Sequence, residues 1–499
     1  MVALSTVIVS YLGAFFVLML PASSLRTIRR ASLVTSILGL AAALRTAFQY
    51  DAPDGGFRNV IEYDWIPAIG AKFTIGVDGI SLPLLLVTGI VAVAGVLMSW
   101  RVEERANEFF AYYLALIGGV YGVFLSMDLF LLFVFYEIAI IPKYFLIAVW
   151  GSTRRGFAAM KLALYSFGGS ALVLFGFLAL YFASGLDTFD MVRLAMEGEF
   201  SNRFQVVFFP IIFLGFAILA GMWPFHTWAP TGHAAAPVAA SMLLAGVVMK
   251  LGAYGCLRVA VGILPEGAHH WAPVVAWIGV INIVYGALVA LRQRDFKFVI
   301  GYSSVSHMGF ILLGLATLNL TGFTGTVLQM FSHGVIGALL FAIAGGMVYE
   351  RTHTRDLGEM NLLINRMPGI AWAFAITGLA SMGLPGFSGF VSELFILVGA
   401  WEQQSLSWWI LALAGFGILA TFGYTLVKVH EAFFSKRDWQ PNMKDESDES
   451  FPGMTLPEKA AFVLLIGSSL LVGLYPRVLT QWIEPSLAPM VETLKAVAN

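Results

Sequence analysis

Cysteine and charged residues are both scarce in this chain. Cys256 is the one cysteine among 499 residues, which excludes a disulfide framework, a thiolate metal site and a cysteine-ligated iron–sulfur cluster. Charged residues make up 12% of the chain, against about 25% in soluble domains. The formal net charge of −1 argues against nucleic acid as a partner. No Gly-x-Gly-x-x-Gly fingerprint opens a strand–helix unit, so the sequence predicts no nucleotide or flavin cofactor on this chain.

Long apolar runs take the place of the missing charge. Hydrophobic residues make up 59% of the chain, and runs of about 17–25 residues match the hydrocarbon core of a bilayer, which is about 30 Å thick. They predict an all-α polytopic membrane protein with about 14 transmembrane helices. The predicted spans are 2–21, 31–48, 79–99, 109–126, 129–150, 160–183, 208–228, 236–260, 271–291, 298–318, 324–349, 369–400, 408–434 and 459–476.

Two of the predicted spans are interrupted. Span seven runs into Gly221 and Pro224, and span twelve contains Gly383-Leu384-Pro385-Gly386. A broken helix leaves backbone groups that must meet water or protein partners, although a proline kink is the plainer interpretation of either span alone. Because the two spans lie five apart, they predict two inverted five-helix repeats, each with one broken helix. The predicted organisation is helices 1–3 in residues 1–108, a first repeat (helices 4–8) in 109–260, a second repeat (helices 9–13) in 271–434, and a polar loop with the final helix in 435–499.

The distribution of Lys and Arg predicts the orientation. With the N-terminus outside, the cytoplasmic connections hold 18 of the 29 Lys and Arg residues, including Arg437 and Lys444, and the outer connections hold eight. This bias places both termini on the outer side of the membrane. The chain begins apolar at Val2, without the basic region of a secretory signal, so we expect a first permanent span there. The expected location is a bacterial inner membrane.

Ionisable side chains inside the apolar spans are the strongest indication of function. A charge at the bilayer centre costs from about 3 to more than 10 kcal/mol, so such groups face a protein interior or a hydrated path. Histidine can take or give a proton near neutral pH, and three consecutive spans carry a histidine or a carboxylate. A proton relay is therefore our interpretation, with buried structural ion pairs and satisfied structural histidines as the alternative. The candidate residues are Glu137, Lys143, Lys250, His307, His333 and Glu393.

Several segments form a characteristic series along the chain. They are Phe225-His226-Thr227-Trp228, residues 244–255, Asp295-Phe296-Lys297 leading to the Tyr-Ser-Ser-Val-Ser-His-Met-Gly stretch 302–309, residues 329–334 and residues 383–393. In this order they resemble the antiporter-like membrane subunits of respiratory complex I. The segment 349–355, Tyr-Glu-Arg-Thr-His-Thr-Arg, most resembles the M-type subunit, the counterpart of mitochondrial chain 4. About two dozen residues follow the last span, which is too few for the long amphipathic helix of the L-type subunit.

This resemblance implies a role in proton pumping by an NADH:quinone oxidoreductase. It implies L-type and N-type antiporter-like neighbours and contact with membrane lipid. It also implies that NADH, flavin, iron–sulfur clusters and quinone are bound by partner subunits rather than by this chain. Carried over residue by residue, Glu137 matches the helix-five glutamate and Lys250 the connecting lysine of helix eight. His307 and His333 match the central relay, and Glu393 the acidic group of helix twelve that gates the outward path.

The chain departs from the family at helix seven. The family's lysine there would stand at Leu219, and span seven contains no lysine. Lys143 appears instead, six residues after Glu137, which is about 9 Å of helix rise. We interpret Lys143 as a relocated partner of Glu137, reached through a bend at Pro142 or through a bridging water. The alternative is that Lys143 extends to the cytoplasmic edge and leaves Glu137 unpaired.

Three functional hypotheses follow from these features. The first is the proton-translocating complex I subunit. The second is a subunit of a related multisubunit cation/proton antiporter or of a membrane-bound hydrogenase, which carries the same motifs. The third is a structural membrane-arm subunit with an impaired channel, to which Leu219 gives weight. The partners that copurify with the chain separate the first two hypotheses, and substitution of Lys250 and Glu393 separates the first from the third.

Overall fold

The computed structural model describes residues 2–436 and 450–498. Within these residues, thirteen helices are long and apolar enough to cross a membrane. Their lengths follow from the composition, because 18 helical residues rise about 27 Å. The thirteen helices are Val2–Met19, Leu25–Gln49, Ser81–Met98, Ala106–Leu125, Leu129–Trp150, Arg155–Ser184, Asn202–Ala235, Val238–Val261, Pro265–Arg292, Phe296–Ala316, Leu320–Thr352, Trp408–Phe434 and Leu456–Leu474.

The predicted span 369–400 is absent from those thirteen because it is divided. Its first part is the helix Pro368–Ser381 and its second part is the helix Ser388–Glu402. Between them Gly383 and Gly386 have φ values of 75° and 101°, a left-handed conformation that side chains with a Cβ rarely adopt. The interruption expected in span twelve is therefore confirmed.

The interruption expected in span seven is also present. The helix Asn202–Ala220 ends at Gly221, where φ is 82°, and the chain resumes as the helix Trp228–Ala235. The side chain of Asn282 accepts a hydrogen bond from Trp223 N at 2.6 Å and donates one to Gly221 O at 3.0 Å. This asparagine thus satisfies the backbone groups that the break frees, as a membrane interior requires.

Two helices form the centre of the molecule. The 18-residue apolar stretches of Val238–Val261 and Leu320–Thr352 are completely buried inside the protein. In Val2–Met19 only one third of the corresponding stretch is buried. The central pair packs closely at Gly246 and Gly334: a Cβ added to Gly334 would lie 2.9 Å from Gly246 O. Both central helices contain π-helical segments, which often occur at functional sites. The two-repeat organisation itself stays a prediction.

A β-hairpin accompanies the helices. The connection between the helices Leu25–Gln49 and Ser81–Met98 contains the strands Arg58–Ile66 and Ala71–Val77, paired antiparallel. The turn between them places Gly70 at φ 63°. The hairpin is anchored from within the bundle, because Arg258 forms an ion pair with Asp78 at its end.

The residues after the last span form a helix of their own, Arg477–Ala498. It is shorter than the L-type helix that we excluded, but it is amphipathic. It packs on the hairpin side of the bundle, where Ser486 Oγ donates to Gly55 O at 2.8 Å and accepts from Gly79 N at 2.8 Å. His269 Nε2 contacts Leu494 O at 2.8 Å. The buried stripe is Leu479, Ile483, Leu487, Val491 and Leu494, spaced three or four residues apart as one helix face requires.

The opposite side of the bundle is the arginine-rich face. Contacts between connections define it: Arg29 donates to Val102 O at 3.2 Å, Arg101 pairs with Glu350 at 3.0 Å, and Arg355 pairs with Asp295 at 3.4 Å. These residues belong to the connections that we predicted to be cytoplasmic. Two other members of that set, Arg437 and Lys444, lie outside the described residues.

Candidate functional site

Lys250 and His333 meet where the two central helices cross. Lys250 is fully buried, and its Nζ lies 2.6 Å from His333 Nδ1. The same Nζ also donates to the backbone carbonyl of Ala245. The π-helical segment Leu244–Val248 directly precedes Lys250 in the chain. A lysine amine and an imidazole nitrogen at hydrogen-bond distance can share one proton, with either group as donor.

His307 continues the row toward the second broken helix. Its ring centroid lies 5.6 Å from that of His333. Its Nδ1 is 3.1 Å from Glu393 Oε1, and its Nε2 is 3.3 Å from Ser381 Oγ. Glu393 lies in the helix after the break and Ser381 ends the helix before it, so His307 bridges the two halves.

Hydroxyl and amide groups surround this row. A small cavity of about 10 Å³ borders His307, His333 and Glu393, close to the space that one water needs. Ser388 Oγ donates to Ser332 Oγ at 2.8 Å, and Ser392 donates to Gln329. The cavity is lined by Ser303, Ser304, Gln329, Ser332 and Ser381 together with the three titratable residues. These hydroxyl and amide groups can accept hydrogen bonds beside the titratable residues.

Four of the six predicted site residues therefore come together. Lys250, His333, His307 and Glu393 form one buried row, which we call the relay row. Each member is at most 6% exposed. Alternating bases and an acid at these separations can pass a proton along the row, because neutral imidazole accepts at one nitrogen and donates from the other.

The other two predicted residues, Glu137 and Lys143, stand apart from the relay row. They lie on either side of a break at Ala139 in the helix Leu129–Trp150. Neither forms an ion pair within 4.0 Å among the described residues. Glu137 Oε1 is buried without a hydrogen-bond partner. Lys143 is 1% exposed, so its side chain is enclosed by protein. Both interpretations of Lys143 stay predictions.

Leu219 occupies the position at which the family lysine was expected. It is 2% exposed and belongs to the packed core. Its backbone lies against the next span, because a Cβ added to Gly252 would be 3.1 Å from Leu219 C. In this chain a packed leucine therefore stands where the resemblance led us to expect a lysine.

Sequence reasoning missed Ser381, Lys297 and His233. Ser381 lies two residues before Gly383, and its place beside a break was the signal that could have identified it. Lys297 was assigned to a connection, but its side chain is 4% exposed. His233 lies in the half-helix Trp228–Ala235, is fully buried, and has no hydrogen-bond partner on either ring nitrogen. A histidine directly after a helix break is a recognisable signal for a titratable group in the interior.

No metal centre is present within residues 2–436 and 450–498, because these residues contain no group of three or more His, Cys, Asp or Glu arranged to hold an ion. The candidate site consists of the titratable side chains of the relay row. Its possible chemistry is proton exchange along the relay row.

Broken helices beside a buried row of titratable residues define the class of antiporter-like integral membrane proteins. Comparisons with known proteins agree. Residues 126–421 match the family described as NADH:quinone oxidoreductase/Mrp antiporter, TM, and the chain belongs to this family.

Curated relatives extend the match to nearly the whole chain. NAD(P)H-quinone oxidoreductase chain 4 of Gloeobacter violaceus is 35% identical over 484 residues, which is 96% of this chain and 90% of the relative. The corresponding chain 4 of Acaryochloris marina is 36% identical over 451 residues, 90% of this chain and 83% of the relative.

A solved structure supports the same assignment. The fold superimposes on a chain of respiratory complex I from Thermus thermophilus with a TM-score of 0.89 at 27% identity, covering 99% of this chain and 100% of that chain. The similarity in fold therefore extends to the regions on both sides of the family match, including the hairpin and the terminal helix.

Proposed function

We propose that this chain is the M-type, proton-translocating subunit of a membrane-bound NADH:quinone oxidoreductase. The observation that carries the proposal is the relay row, in which Lys250 contacts His333 at 2.6 Å and His307 contacts Glu393 at 3.1 Å. The names of the chain 4 relatives support the quinone oxidoreductase assignment. The relay row supports proton translocation as this chain's part in it.

The row performs translocation by stepwise exchange. A proton on Lys250 Nζ passes to His333 Nδ1, and His333 hands a proton to His307 across the 5.6 Å between their rings. Polar groups of the small cavity offer the intermediate positions for that step. His307 Nδ1 then protonates Glu393 Oε1. Glu393 then releases its proton to the outer side and becomes a carboxylate again. The negative charge attracts the next proton.

Glu393 is the proposed outlet because of the break beside it. A Cβ added to Gly383 would lie 3.0 Å from Glu393 Oε2, so the carboxylate faces the irregular backbone directly. Irregular backbone inside a membrane occurs where it lines a cavity or is covered by protein. Motion at this break would connect Glu393 to the outer side, on which we place both termini and the hairpin.

Glu137 and Lys143 are proposed as a coupled pair upstream of the relay row. Both are titratable groups in the apolar interior without a bonded partner among the described residues. The Lys143 charge lies within electrostatic range of Glu137. A cation at this position would make up for the apolar Leu219, and a bridging water would join the two groups.

The chemistry of quinone reduction belongs to partner subunits in this proposal. The partners are L-type and N-type antiporter-like neighbours in the membrane arm, with membrane lipid at the outer surfaces. NADH, flavin, iron–sulfur clusters and quinone are placed in other subunits of the complex. A location in a bacterial inner membrane, with both termini outside, completes the proposal.

The family description includes Mrp antiporters, so cation exchange is the competing activity. A chain of the Mrp complex from Dietzia sp. DQ12-45-1b superimposes with a TM-score of 0.84, covering 100% of this chain and 99% of that chain, at 22% identity. Similarity at that level concerns the fold alone. The identity of 35% to a quinone oxidoreductase chain is the reason for preferring the first activity.

Purification of the intact complex, followed by reconstitution, tests the proposal. We expect the chain to copurify with redox subunits, and we expect NADH-driven quinone reduction in liposomes to acidify the lumen in sodium-free buffer. A complex without redox subunits that exchanges sodium for protons would contradict the proposal and establish the antiporter alternative.

A further inference from the structure

A cavity lined by both charged and apolar residues opens on the arginine-rich face, at the ends of the central helices. Its volume is about 250 Å³, which is room for several waters. We call it the vestibule. The residues that define it here are Arg101, Ser152, Lys297, Glu350 and Arg355, with Ala236 at the end of the half-helix Trp228–Ala235.

The two arginines of the vestibule are already paired. Arg101 bonds Glu350 at 3.0 Å, and Arg355 bonds Asp295 at 3.4 Å. Lys297, in contrast, has no carboxylate within 4.0 Å among the described residues. Lys297 is therefore the vestibule cation whose charge has no bonded acidic partner in the described part of the chain.

Lys297 forms the floor of the vestibule. It is 4% exposed, and its Nζ donates to Ala236 O at 2.8 Å. A lysine ammonium has three donors, and one protein acceptor leaves capacity for water from the cavity. The carbonyl that it holds lies three residues after His233, at the end of the same half-helix. The bond therefore ties the vestibule floor to the segment that carries the orphan histidine.

His233 lies three residues before Ala236, which lines the vestibule. Its ring stacks on Phe341 at 4.9 Å, and neither nitrogen has a hydrogen-bond partner among the described residues. Lys250 and Lys297 are both near enough for their charges to act on this imidazole. A buried polar atom without a partner is destabilising, and this ring carries two. A ring that exchanges protons with neighbouring groups accounts for this arrangement.

We propose that the vestibule is the site where the relay row takes up protons, with Lys297 as the acceptor from water and His233 as the link to Lys250. This inference rests on the proposed function, because it supplies the same row. Neutral Lys297 binds a proton from vestibule water and gives it to one nitrogen of His233. His233 releases the proton of its other nitrogen to neutral Lys250. The imidazole is neutral before and after, and its return to the first tautomer completes the cycle.

A structural role for Lys297 makes a different prediction. If Lys297 only holds the Ala236 carbonyl at the end of the half-helix, any cationic donor of similar length should serve. Arginine keeps the charge and the donors but does not release a proton in proteins. The variant Lys297→Arg therefore separates transfer from positioning.

The test measures the proton-to-electron ratio of the assembled complex in liposomes for Lys297→Arg, Lys297→Met and His233→Gln. We expect each to lower the proton-to-electron ratio below that of the parent, because the relay row then loses its supply of protons from the vestibule. Lys161→Met is the matched control: Lys161 is a lysine outside the vestibule that donates to Thr231, and its variant should pump like the parent. Parent-level pumping by Lys297→Arg would overturn the proposal.

Lys250→Ala is measured alongside these variants. It distinguishes failure of the proposed uptake route from failure of the proposed function. If Lys250→Ala stops pumping while Lys297→Arg and His233→Gln do not, the uptake route is wrong and the relay row stands. If all of them pump normally, the proposed function itself fails.

Thiol modification tests water access without altering Lys297. The thiol introduced by Ser152→Cys, in a Cys256→Ala background, should react with a charged methanethiosulfonate reagent and lose pumping. Ser23→Cys, at an exposed position between the first two helices, should react without loss. An unreactive position 152, or full reaction with unchanged pumping, would contradict the vestibule route.

Discussion

His307 is held from both sides of the second helix break. Glu393 contacts its Nδ1 at 3.1 Å and Ser381 contacts its Nε2 at 3.3 Å. Two partners fix the ring plane, so a proton arriving from His333 meets an imidazole already aimed at its acceptor. Glu393 is the one carboxyl group of the row. In this account it takes the proton from His307 and releases it to the outer side.

Glu393→Gln tests this role of the acid. The amide keeps the size and a hydrogen bond to His307 but no longer titrates, so proton transport should fall by roughly tenfold or more. Assembly should stay at the parent level. The measurement is the rate of lumen acidification in liposomes, normalised to complex content. Glu393→Ala is the companion variant: if Glu393→Gln pumps like the parent and only Glu393→Ala fails, the residue is structural.

The pair Glu137 and Lys143 is tested by a double-mutant cycle. Glu137→Gln and Lys143→Met should each slow pumping, and the double variant should lose less than the two effects combined, because each change removes the same interaction. Coupling between contacting groups is about 0.5–3 kcal/mol. A harmless Lys143→Met with a coupling energy near zero would end this idea. Leu219→Lys in the Lys143→Met background adds a rescue arm, in which recovered pumping would support the relocation of the charge.

The sequence identified the residues of the relay row but not their pairing. A lysine in one span and a histidine in another can be recognised in the sequence, because they interrupt apolar runs. The 2.6 Å contact of Lys250 with His333, however, depends on the rotation and register of two helices that pack at Gly246 and Gly334. His233 was missed because its position after the break is visible in the sequence, but the burial of both ring nitrogens without partners is not.

At the scale of elements, the broken helices depend on side chains that replace the lost backbone bonds. Asn282 serves the first break: it bonds Trp223 N, Gly221 O and Val305 O. Gly221 and Trp223 lie in the break, and Val305 lies in the helix Phe296–Ala316. A single asparagine in a neighbouring span therefore fixes the geometry of the half-helix that carries His233.

Asn282→Leu should destabilise the complex. It leaves buried backbone groups unpaired, at about 1–3 kcal/mol for each group. The midpoint of thermal unfolding of the detergent-solubilised complex should fall measurably below that of the parent. Asn107→Ala, which removes an exposed hydrogen bond from a half-buried asparagine to Leu18 O, is the control. Equal midpoints for the two variants would mean that Asn282 does not support the break.

Glycine and proline in apolar runs predicted both breaks, because the physical cause is local to the chain. The hairpin Arg58–Ile66 with Ala71–Val77 was not predicted, since its strands alternate only loosely and lie in a segment that hydropathy marks as a connection. The terminal helix was underestimated for another reason. Its apolar stripe is regular, but Pro485 and Pro489 interrupt the sequence signal of a helix.

On the scale of the whole molecule, titratable groups are concentrated where lipid is absent. The apolar stretches of the central helices Val238–Val261 and Leu320–Thr352 are completely buried. Helices such as Trp408–Phe434 expose much of their apolar surface. Charges in the centre therefore meet protein rather than hydrocarbon, which lowers the cost of several kcal/mol for each charge. The vestibule on one side and the break beside Glu393 on the other give this centre two proposed connections to water.

The central claim is that protons pass through Lys250, and Lys250→Ala in the assembled complex tests it most directly. The measurement is the number of protons translocated for each electron pair during quinone reduction in liposomes, with Lys161→Met as the control. The account predicts a reduced ratio for Lys250→Ala and a parent-level ratio for Lys161→Met, with normal assembly of both. An unchanged ratio in fully assembled Lys250→Ala complex would contradict the account.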